Sequence, residues 1–443
     1  MLDKIYVVTD LGPGDGGKGG IVHALAKKEH ASIIIKRGGA QGSHGVKTSD
    51  GKSFNFSQWG CGTFEGVPTH CSPQMIISPI GLENEAEALN NIGVSDPYAL
   101  LSVDPRCICA TPYHMIGSQL AELRLRDNPR GTIGSGVGQA YRMYKELGGV
   151  ATIRASQLSD RGLIYHMLHK QVIHYRELST KIHLSDILPD DVDIYRENME
   201  LLFDPNYFNF ILDLLSDVGT KIRLQELGEV VHHESGTAIV ECSHGVLTDA
   251  ETGFKPHVSA IRTLPCFTSQ MLLDVGYNNE VIHLGVHRAY EIRHGAGPMP
   301  TYSEEFTEML LPGSNKEENR WQGKVRTGPL DMVLLKRAID VCKETGTVFD
   351  GICLTWFDQI LKNNRKWVTC MEYQQTPAKG ESYTDYLKHT EPSRAAVHFI
   401  NPISTKDLFQ FAGQVLRNNG INPPLSILSV GPTEVDKIYS KNI

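Results

Sequence analysis

A glycine-rich turn near the start of the chain holds the residue types that chemistry on a phosphate group requires. Residues 12–20 read G-P-G-D-G-G-K-G-G and directly follow the apolar run from Ile5 to Val8. Successive glycine amides can converge on an anion, and the start of a following helix adds partial positive charge. The spacing matches the beginning of a Walker A loop, in which Lys18 would meet the outer phosphates. The stretch therefore predicts a phosphate-binding loop.

Two residues of this turn depart from a Walker A loop. Gly19 stands where a Ser or Thr would hold magnesium. Asp15 brings a carboxylate into the predicted cradle, which is costly beside phosphates unless a cation or a proton transfer needs it there. The segment alone leaves one alternative open, a glycine-rich turn from strand to helix with a solvated Asp15.

The segments around the loop alternate between short apolar runs and turns. Residues 4–9 predict a strand, residues 21–29 a helix, and residues 31–36 a second strand that runs into a Gly-Gly pair. Such alternation predicts an α/β fold with a large, mainly parallel central sheet and flanking helices, whose ligands bind at the carboxyl ends of the strands. Later segments predict one further helix and five further strands: a helix at 83–91 and strands at 74–80, 237–241, 281–287, 351–355 and 425–430.

The composition shifts towards helix between about residues 157 and 230, where Leu, His, Tyr, Asp and Glu recur periodically. This pattern predicts a mostly helical insertion. The length of 443 residues allows two or three units, or one large α/β domain that carries insertions.

Charge and composition disfavour several classes of partner. The formal net charge of -8 argues against nucleic acid or an anionic membrane surface as the main partner. No run approaches the roughly 18 apolar residues that a membrane span needs, and the first residues, M-L-D-K, do not resemble a secretion signal. The nine cysteines are an odd number and widely dispersed, which disfavours disulfides. We expect a cytoplasmic protein that binds neither nucleic acid nor membranes.

Several segments match one protein family in the same order along the chain. Residues 13–19, P-G-D-G-G-K-G, resemble the family loop W-G-D-E-G-K-G, and residues 38–44, G-G-A-Q-G-S-H, resemble G-G-x-N-A-G-H. The most specific match is A-Y-E-I-R-H-G-A-G-P-M-P-T at 289–301, against a segment that ends R-V-G-A-G-P-F-P-T. Further matches lie at 130–141, 241–245, 253–259, 326–331, 354–358 and 429–432. The chain resembles adenylosuccinate synthetases over nearly its whole length.

The resemblance implies a single adenylosuccinate synthetase-like domain over residues 1–443, with a P-loop NTPase-like sheet and the helical insertion at about 157–230. It implies a ligase of purine nucleotide biosynthesis that joins L-aspartate to C6 of a 6-oxopurine 5′-monophosphate, with IMP as the expected substrate. GTP or ATP and Mg²⁺ would drive the reaction through a 6-phosphoryl intermediate. The family also implies a homodimer.

The resemblance assigns the chemistry to three side chains. Asp15 would remove the proton from purine N1 and would also bind Mg²⁺, with the Ser43 carbonyl as a second metal ligand. His44 would donate to O6, although a loop histidine that caps a turn is the alternative at this position. Lys18 and the loop amides would neutralise the phosphates.

The resemblance also implies two nucleotide sites. Asp358 would read guanine N1–H and the 2-amino group, while Trp356 would stack on the base or simply pack. Ile133 replaces a phosphate-binding Thr and cannot donate, so Thr132 or backbone amides would compensate. The triphosphate site would comprise Gly14, Gly16, Gly17, Lys18, Gly19, Asp358, Ser429, Gly431 and Pro432. The monophosphate site would comprise Gln41, Thr132, Ile133, His244 and Ser259, with His244 either donating to O6 or serving as a core or turn residue.

The aspartate-binding loop is where the chain departs furthest from the family. Family members carry Thr-Thr followed by several arginines, whereas residues 319–326 read N-R-W-Q-G-K-V-R. Lys324 and Arg326 can still clamp a dicarboxylate, and Arg326 is the better bidentate candidate.

Three other interpretations stay open. S-G-V-G at 135–138, W-Q-G at 321–323 and G-P-T at 431–433 resemble the divergent archaeal and bacteriophage branch, some members of which are 2-aminoadenylosuccinate synthetases acting on deoxyguanylate. Retention of Asp15 favours IMP, whereas Gly16 in place of Glu leaves room for a 2-amino group. A nucleotide-binding paralogue without ligase activity is the second interpretation, and a P-loop GTPase switch is the third.

Overall fold

The computed structural model describes residues 1–126, 130–314, 316–363, 365–374, 392–401 and 404–441. Within these ranges the strands are β1 (Lys4–Asp10), β2 (Ile33–Gly39), β3 (His44–Lys47), β4 (Ser53–Phe56), β5 (Thr69–Ile77), β6 (Leu101–Val103), β7 (Ile108–Cys109), β8 (Arg223–Leu224), β9 (Thr237–Gly245), β10 (Glu280–Arg288), β11 (Glu291–His294), β12 (Val325–Gly328), β13 (Leu330–Asp331), β14 (Gly351–Thr355), β15 (Lys366–Tyr373), β16 (Pro392–Phe399), β17 (Leu425–Ser429) and β18 (Lys437–Tyr439). The α-helices are α1 (Lys18–Lys28), α2 (Pro79–Asn91), α3 (Pro112–Leu123), α4 (Val137–Leu147), α5 (Arg161–Ser179), α6 (Val192–Phe203), α7 (Pro205–Lys221), α8 (Leu227–His233), α9 (Pro265–Asp274), α10 (Glu304–Leu310), α11 (Met332–Glu344), α12 (Phe357–Lys362) and α13 (Thr405–Asn418).

One large sheet organises the fold. Its strand order is β18-β17-β14-β10-β1-β9-β2-β5-β6-β8, with β7 paired to β5 off this path. The strands run parallel except β18, which is antiparallel to β17. The predicted α/β class with a large, mainly parallel central sheet is confirmed.

The centre of the sheet is buried on both faces. In β1 the run from Ile5 to Val8 is almost fully shielded from solvent, and β1 lies between β9 and β10. A strand covered on both faces by helices needs a continuous apolar run, which this segment supplies. Strand β14 is also buried along its whole length, and its bounds match the predicted strand at 351–355.

Two predicted elements, one strand and the helix after it, had the wrong boundaries. The strand predicted at 74–80 begins five residues earlier and ends at Ile77, and the helix predicted at 83–91 begins at Pro79. The Ser78 side chain accepts a hydrogen bond from the amide of Gly81, and Pro79 occupies the first helical turn. Serine as N-cap followed by proline is a favoured helix start, so one apolar run is divided between a strand and a helix.

The segment predicted to be a helical insertion holds helices α5 to α7 and the start of α8, together with the two-residue strand β8. Strand β8 pairs with β6 and extends the edge of the large sheet. Helices α5 and α7 bury Leu168, Leu212 and Leu215 in a core that they share with α3. Among the helices within the described ranges, none combines the length and the apolar character that crossing a membrane requires.

Within the residues that the structure describes, three smaller sheets lie outside the main one. Strands β3 and β4 form an antiparallel pair that carries His44, and β11 pairs with β12, which carries Arg326. Strand β15 lies between β13 and β16. These additions bring residues distant in sequence to the edge where β1 ends.

Candidate active site

The glycine-rich loop leaves β1 at Asp10 and enters α1 at Lys18. Carboxyl ends of parallel strands meet at one edge of a sheet, so the ends of β9, β10 and β14 lie beside this loop. A Cβ atom built on Gly17 would lie 2.8 Å from Thr355 Oγ1, and one on Gly12 would lie 3.4 Å from His287 Nε2. The loop is therefore enclosed by the neighbouring strand ends.

Three of the seven non-glycine residues with a positive φ in the described part of the chain lie at this edge. Asp15, His244 and Trp356 have φ values of 59°, 61° and 57°, a left-handed conformation that non-glycine residues rarely adopt. Each such residue costs about 1–3 kcal/mol, and residues of this kind cluster at active sites and ligand clamps. Their concentration marks the loop as a candidate site on structural grounds.

A buried carboxylate, which was not among the predicted site residues, holds the loop and its lysine. Lys18 Nζ lies 2.8 Å from Asp10 Oδ2 and 3.0 Å from the His244 carbonyl oxygen. Asp10 also accepts hydrogen bonds from the amides of Gly12 and Gly16, each at 2.8 Å. Burial opposes ionisation of Asp10, but Lys18 and the two amides hold its pKa below the ordinary value. Lys18 is thus fixed beneath the loop by an ion pair.

Two cations flank Asp15. Arg288 Nε donates to the Asp15 carbonyl oxygen at 2.5 Å, and Lys316 Nζ lies 2.6 Å from Asp15 Oδ1. Burial alone would raise the pKa of Asp15, but Lys316 and Arg288 lower it, so the side chain is a carboxylate at neutral pH. The Arg288 guanidinium lies 4.2 Å from the Trp356 ring centroid, which gives that indole a packing role.

His44 belongs to a buried network centred on Glu241. Glu241 Oε1 lies 2.7 Å from Lys36 Nζ, 2.5 Å from His44 Nδ1 and 3.3 Å from Cys61 Sγ, while Oε2 accepts the Cys61 amide at 2.9 Å. Burial opposes ionisation of Glu241, but Lys36 and His44 lower its pKa well below the ordinary value. Burial also lowers the pKa of His44 to about 4, against the opposing effect of Glu241. The neutral His44 ring therefore carries its proton on Nδ1 and donates it to the carboxylate.

The same network contains, within the described residues, one group of three side chains with metal-ligand geometry. Candidate ligand atoms of His44, Cys61 and Glu241 lie within 4.8 Å of one another. Glu241 Oε1 already accepts from these two neighbours and from the fully buried Lys36. A metal ion here would leave the Lys36 ammonium buried without its counter-charge, which is strongly unfavourable. The trio is better explained as a hydrogen-bond network that orients His44.

The glycine at position 19 has a steric explanation. A Cβ atom built on Gly19 would lie 2.4 Å from the Gly45 carbonyl oxygen and 3.0 Å from the His44 carbonyl carbon. Helix α1 can approach strand β3 this closely because residue 19 has no side chain. Gly16 is required in a similar way, since its Cβ would lie 2.7 Å from Asp10 Oδ2.

Two of the predicted monophosphate residues are in direct contact. Gln41 Nε2 lies 2.7 Å from His244 Nε2. Burial, with Lys18 nearby, lowers the pKa of His244 to about 4. Thr132 Oγ1 accepts the Gly134 amide at 2.9 Å. The Ile133 side chain is exposed, and Ser259 Oγ accepts the Ile261 amide at 3.3 Å.

Asp358, predicted to read the base of the triphosphate, lies in α12 directly after Trp356 and Phe357. Its Oδ2 atom accepts from Gln359 Nε2 at 2.7 Å and from Lys362 Nζ at 2.9 Å. These donors keep a buried carboxylate in place near the end of β14.

The other predicted triphosphate residues form a turn after β17. Ser429 Oγ donates to the Gly431 carbonyl at 2.9 Å, and Lys437 Nζ donates to the carbonyls of Gly431 and Thr433 at 2.9 and 2.7 Å. A Cβ on Gly20 would lie 3.9 Å from the Pro432 carbonyl oxygen, so this turn reaches the start of α1. Burial lowers the pKa of Lys437 to about 8.

The two residues predicted to bind aspartate differ in their contacts. Arg326 Nη2 donates to the carbonyl oxygens of Gly295 and Gly297, each at 2.7 Å, whereas Lys324 is exposed. Between them and α10, Arg320 donates to the Asp190 carbonyl at 2.9 Å and pairs with Asp191. This loop is thus tied to the turn after β11 and to the helical segment.

Comparison with known proteins decides the family. The family model described as adenylosuccinate synthetase matches residues 7–402. The chain belongs to the adenylosuccinate synthetase family. The predicted family, the predicted enzyme class, a ligase, and the predicted function in purine nucleotide biosynthesis are confirmed.

Relatives and solved structures agree along the whole chain. The adenylosuccinate synthetase of Methylococcus capsulatus is 25% identical over 461 aligned positions, covering 100% of this chain and 99% of the relative. That of Aquifex aeolicus is 27% identical over 450 positions, covering 97% and 96%. The fully ligated Plasmodium falciparum adenylosuccinate synthetase has a TM-score of 0.76 at 18% identity, covering 98% and 99% of the two chains. The cyanophage S-2L succinoaminodeoxyadenylate synthetase, bound to dGMP and to dATP as an energy donor, has a TM-score of 0.58 at 13% identity, covering 99% and 96%.

Six charged residues of this synthetase site were missing from the sequence-based set, and one of them, Glu241, begins the matched segment 241–245. Lys36 offered a signal, because a lysine within the apolar run of β2 suggests a buried ion pair. Asp10 ends an apolar strand just before a loop, and Arg288 directly precedes the matched segment 289–301. Lys316 had no local signal, since its partner Asp15 lies 301 residues away in sequence. Lys437 donates to Gly431 and Thr433, only six and four residues away, but a lysine at that position did not by itself indicate these contacts.

Proposed function

We propose that this ligase joins L-aspartate to C6 of IMP, with GTP as the phosphoryl donor. The observation that carries the proposal is Asp15, an ionised carboxylate presented by a strained glycine loop between Arg288 and Lys316. The carboxylate keeps a relative exposure of 25%, so a substrate can reach it. A general base needs both properties, access and an available lone pair.

In the first step Asp15 accepts the proton of purine N1, and the electron pair moves to O6. A bond forms between O6 and the γ-phosphorus while the bond from that phosphorus to the β,γ-bridging oxygen breaks, which releases GDP. In the second step the amine of aspartate attacks C6, inorganic phosphate leaves with O6, and the amine loses a proton. A base in this role contributes about 10²- to 10⁴-fold in rate.

His44 is proposed to stabilise the negative charge on O6. In the neutral ring the single N–H group, on Nδ1, donates a hydrogen bond to Glu241, so donation from Nε2 requires a second proton on the ring. Glu241 and an incoming phosphoryl group both favour that imidazolium form. Preorganised donation to a developing oxyanion is often the largest catalytic contribution.

Mg²⁺ is proposed to bind the Asp15 carboxylate and the Ser43 carbonyl. Both are oxygen ligands of the kind that Mg²⁺ prefers, Asp15 is partly exposed and Ser43 is exposed. The ion would neutralise charge on the phosphates. Lys18 and the loop amides share this task, because in-line phosphoryl transfer depends on positioning and charge neutralisation.

The proposed binding residues follow the sequence prediction. Asp358 would accept hydrogen bonds from guanine, and Lys324 with Arg326 would bind the carboxylates of aspartate. The triphosphate would also contact Gly14, Gly16, Gly17, Gly19, Ser429, Gly431 and Pro432. The monophosphate would contact Gln41, Thr132, Ile133, His244 and Ser259. We further infer a homodimer and a single domain over residues 1–443.

A guanylate substrate is the second candidate. The cyanophage S-2L synthetase, which shares the fold, is bound to dGMP. Gly16 was the sequence feature in favour of a 2-amino group, but a Cβ atom at that position would meet the Asp10 carboxylate at 2.7 Å. The glycine at position 16 is therefore explained by its contact with Asp10 and does not by itself indicate a guanylate substrate. The retained Asp15 favours IMP.

The test measures phosphate release with L-aspartate and each of IMP, GMP and dGMP, using GTP or ATP as donor. We expect aspartate-dependent release with IMP and GTP, and loss of ligation in Asp15→Asn with the fold preserved. Phosphate release that does not depend on aspartate would contradict the ligase and favour an NTPase. Near-normal turnover of Asp15→Asn would remove Asp15 from the role of base.

A further inference from the structure

Lys316 is a charged residue of this site to which the proposed mechanism gives no task. Its Nζ atom lies 2.6 Å from Asp15 Oδ1, and it comes from the loop that follows α10. The same lysine lines a cavity of about 740 Å³ together with Asn55, Thr307 and Leu311. A cavity of this volume is within the usual range for small-molecule sites. Lys316 thus stands between the glycine loop and an open space.

Both arginines that follow Lys316 are held elsewhere, while Lys324 is exposed. Arg320 is tied to Asp191 in the helical segment, and Arg326 donates to the turn formed by Gly295 and Gly297. Lys316 is the residue of this loop seen to reach the carboxylate of Asp15. A lysine suits a contact that must change partners, because its ammonium sits on a flexible stem with three rotatable donors.

We propose that Lys316 is a catalytic lysine of the phosphoryl-transfer step, an inference that rests on the proposed function of Asp15. Docking of purine N1 on Asp15 brings O6 close to the Lys316 ammonium, since O6 is bonded to the carbon next to N1. As the N1 proton moves to Asp15, that carboxyl group loses its charge, which passes to O6. When O6 attacks, this charge spreads over the γ-phosphoryl group in transit and ends on the β,γ-bridging oxygen that leaves with GDP. The Lys316 ammonium then leaves the neutral Asp15 and donates hydrogen bonds to the γ-phosphoryl oxygens. No proton leaves the lysine, and the bonds formed and broken are those of the phosphoryl step.

The experiment separates phosphoryl transfer from aspartate binding. GTP labelled with heavy oxygen in the β,γ-bridging position scrambles that label when the 6-phosphoryl intermediate forms reversibly, and this exchange needs IMP but no aspartate. In Lys316→Met we expect exchange and overall turnover to fall together by about 10²- to 10³-fold, the usual cost of removing one preorganised donor. Lys316→Arg should recover part of both rates. Glu318→Gln, an exposed charge change on the same loop, is the matched control and should match the parent protein.

Each alternative result would overturn the inference. Normal exchange in Lys316→Met with a raised KM for aspartate would make Lys316 a ligand of the amine donor. Exchange and turnover both within threefold of the parent would leave it without a catalytic role. Neither exchange nor ligation in the parent protein, with IMP, GMP or dGMP, would remove the proposed function and this inference with it.

Discussion

The buried ion pair between Lys36 and Glu241 allows a sharp test of how the site is held. In Glu241→Gln the side chain keeps its size but loses its charge. If the amide oxygen takes the Oε1 position, the amide NH₂ faces the Cys61 amide, and if it takes the Oε2 position, the NH₂ faces Lys36 and His44. Either orientation places donors against donors and leaves the Lys36 ammonium buried without a counter-charge.

The expected loss is about 3–5 kcal/mol in the free energy of unfolding, the usual cost of breaking a buried pair from one side. The chain offers a control at the same separation, because Lys4 Nζ and Glu29 Oε2 are also 2.7 Å apart. That pair is 26% and 13% exposed, whereas Lys36 and Glu241 are 0% exposed. Glu29→Gln should cost less than about 1 kcal/mol.

Urea unfolding followed by circular dichroism measures both variants, and an unchanged slope shows that the unfolded states are comparable. The double variant Lys36→Met with Glu241→Gln should cost less than the sum of the two single variants, because it removes both charges. Equal losses for Glu241→Gln and Glu29→Gln would refute the reasoning. So would strict additivity in the double variant.

Three further predictions concern pH, the glycine loop and the triphosphate. Acidification from pH 7 to pH 5 should lower the free energy of unfolding, because four buried histidines with a lowered pKa take up protons only on unfolding. This outweighs the opposite contribution of two carboxyl groups, Glu85 and Asp331, whose pKa burial raises to about 7. Each histidine contributes up to about 1.4 kcal/mol per pH unit below the unfolded pKa of about 6.5, and a constant urea midpoint over this range would contradict it. These histidines are His44, His70 and His244, with pKa values of about 4, and His114, with about 3. Gly19→Ser should lower stability by about 1–3 kcal/mol and impair turnover, since its Cβ would meet the Gly45 carbonyl at 2.4 Å, and a fully active variant would disprove the steric explanation. Lys437→Met should raise the KM of the triphosphate roughly tenfold, because the carbonyls of Gly431 and Thr433 lose their hydrogen-bond donor. The KM of the monophosphate should not change, and equal changes in both KM values would contradict this prediction.

Local patterns were sufficient to locate the loop and the strands that support it. Strand β1, the glycine turn and β14 follow from continuous apolar runs and from glycines, which act over a few residues. The family motifs then placed Asp15 and His44 in one site, because their order along the chain matched. Boundaries failed where an apolar run continued from β5 into α2, since burial alone does not distinguish a strand from a helix.

The contacts within the site could not be predicted in the same way. His44 and Glu241 are 197 residues apart, and Gln41 and His244 are 203 apart. Only the folded sheet brings such pairs into register, as β2 and β9 do for Lys36 and Glu241. A sequence assigns each residue a type, whereas the partner that sets its charge or tautomer is decided by tertiary packing.

Three carboxylates around the loop, Glu241, Asp10 and Asp15, each form an ion pair with one lysine. The more exposed the pair, the less free energy its separation costs. The Lys36–Glu241 pair is fully buried, and the Lys18–Asp10 pair is 3% and 0% exposed, so separating either would strand a charge at a cost of several kcal/mol. The Lys316–Asp15 pair is 28% and 25% exposed, where ion pairs are worth about 1 kcal/mol or less. An incoming phosphate therefore recruits Lys316 at the lowest cost. The cation that exchanges most easily is also the one that leaves Asp15 free to accept a proton.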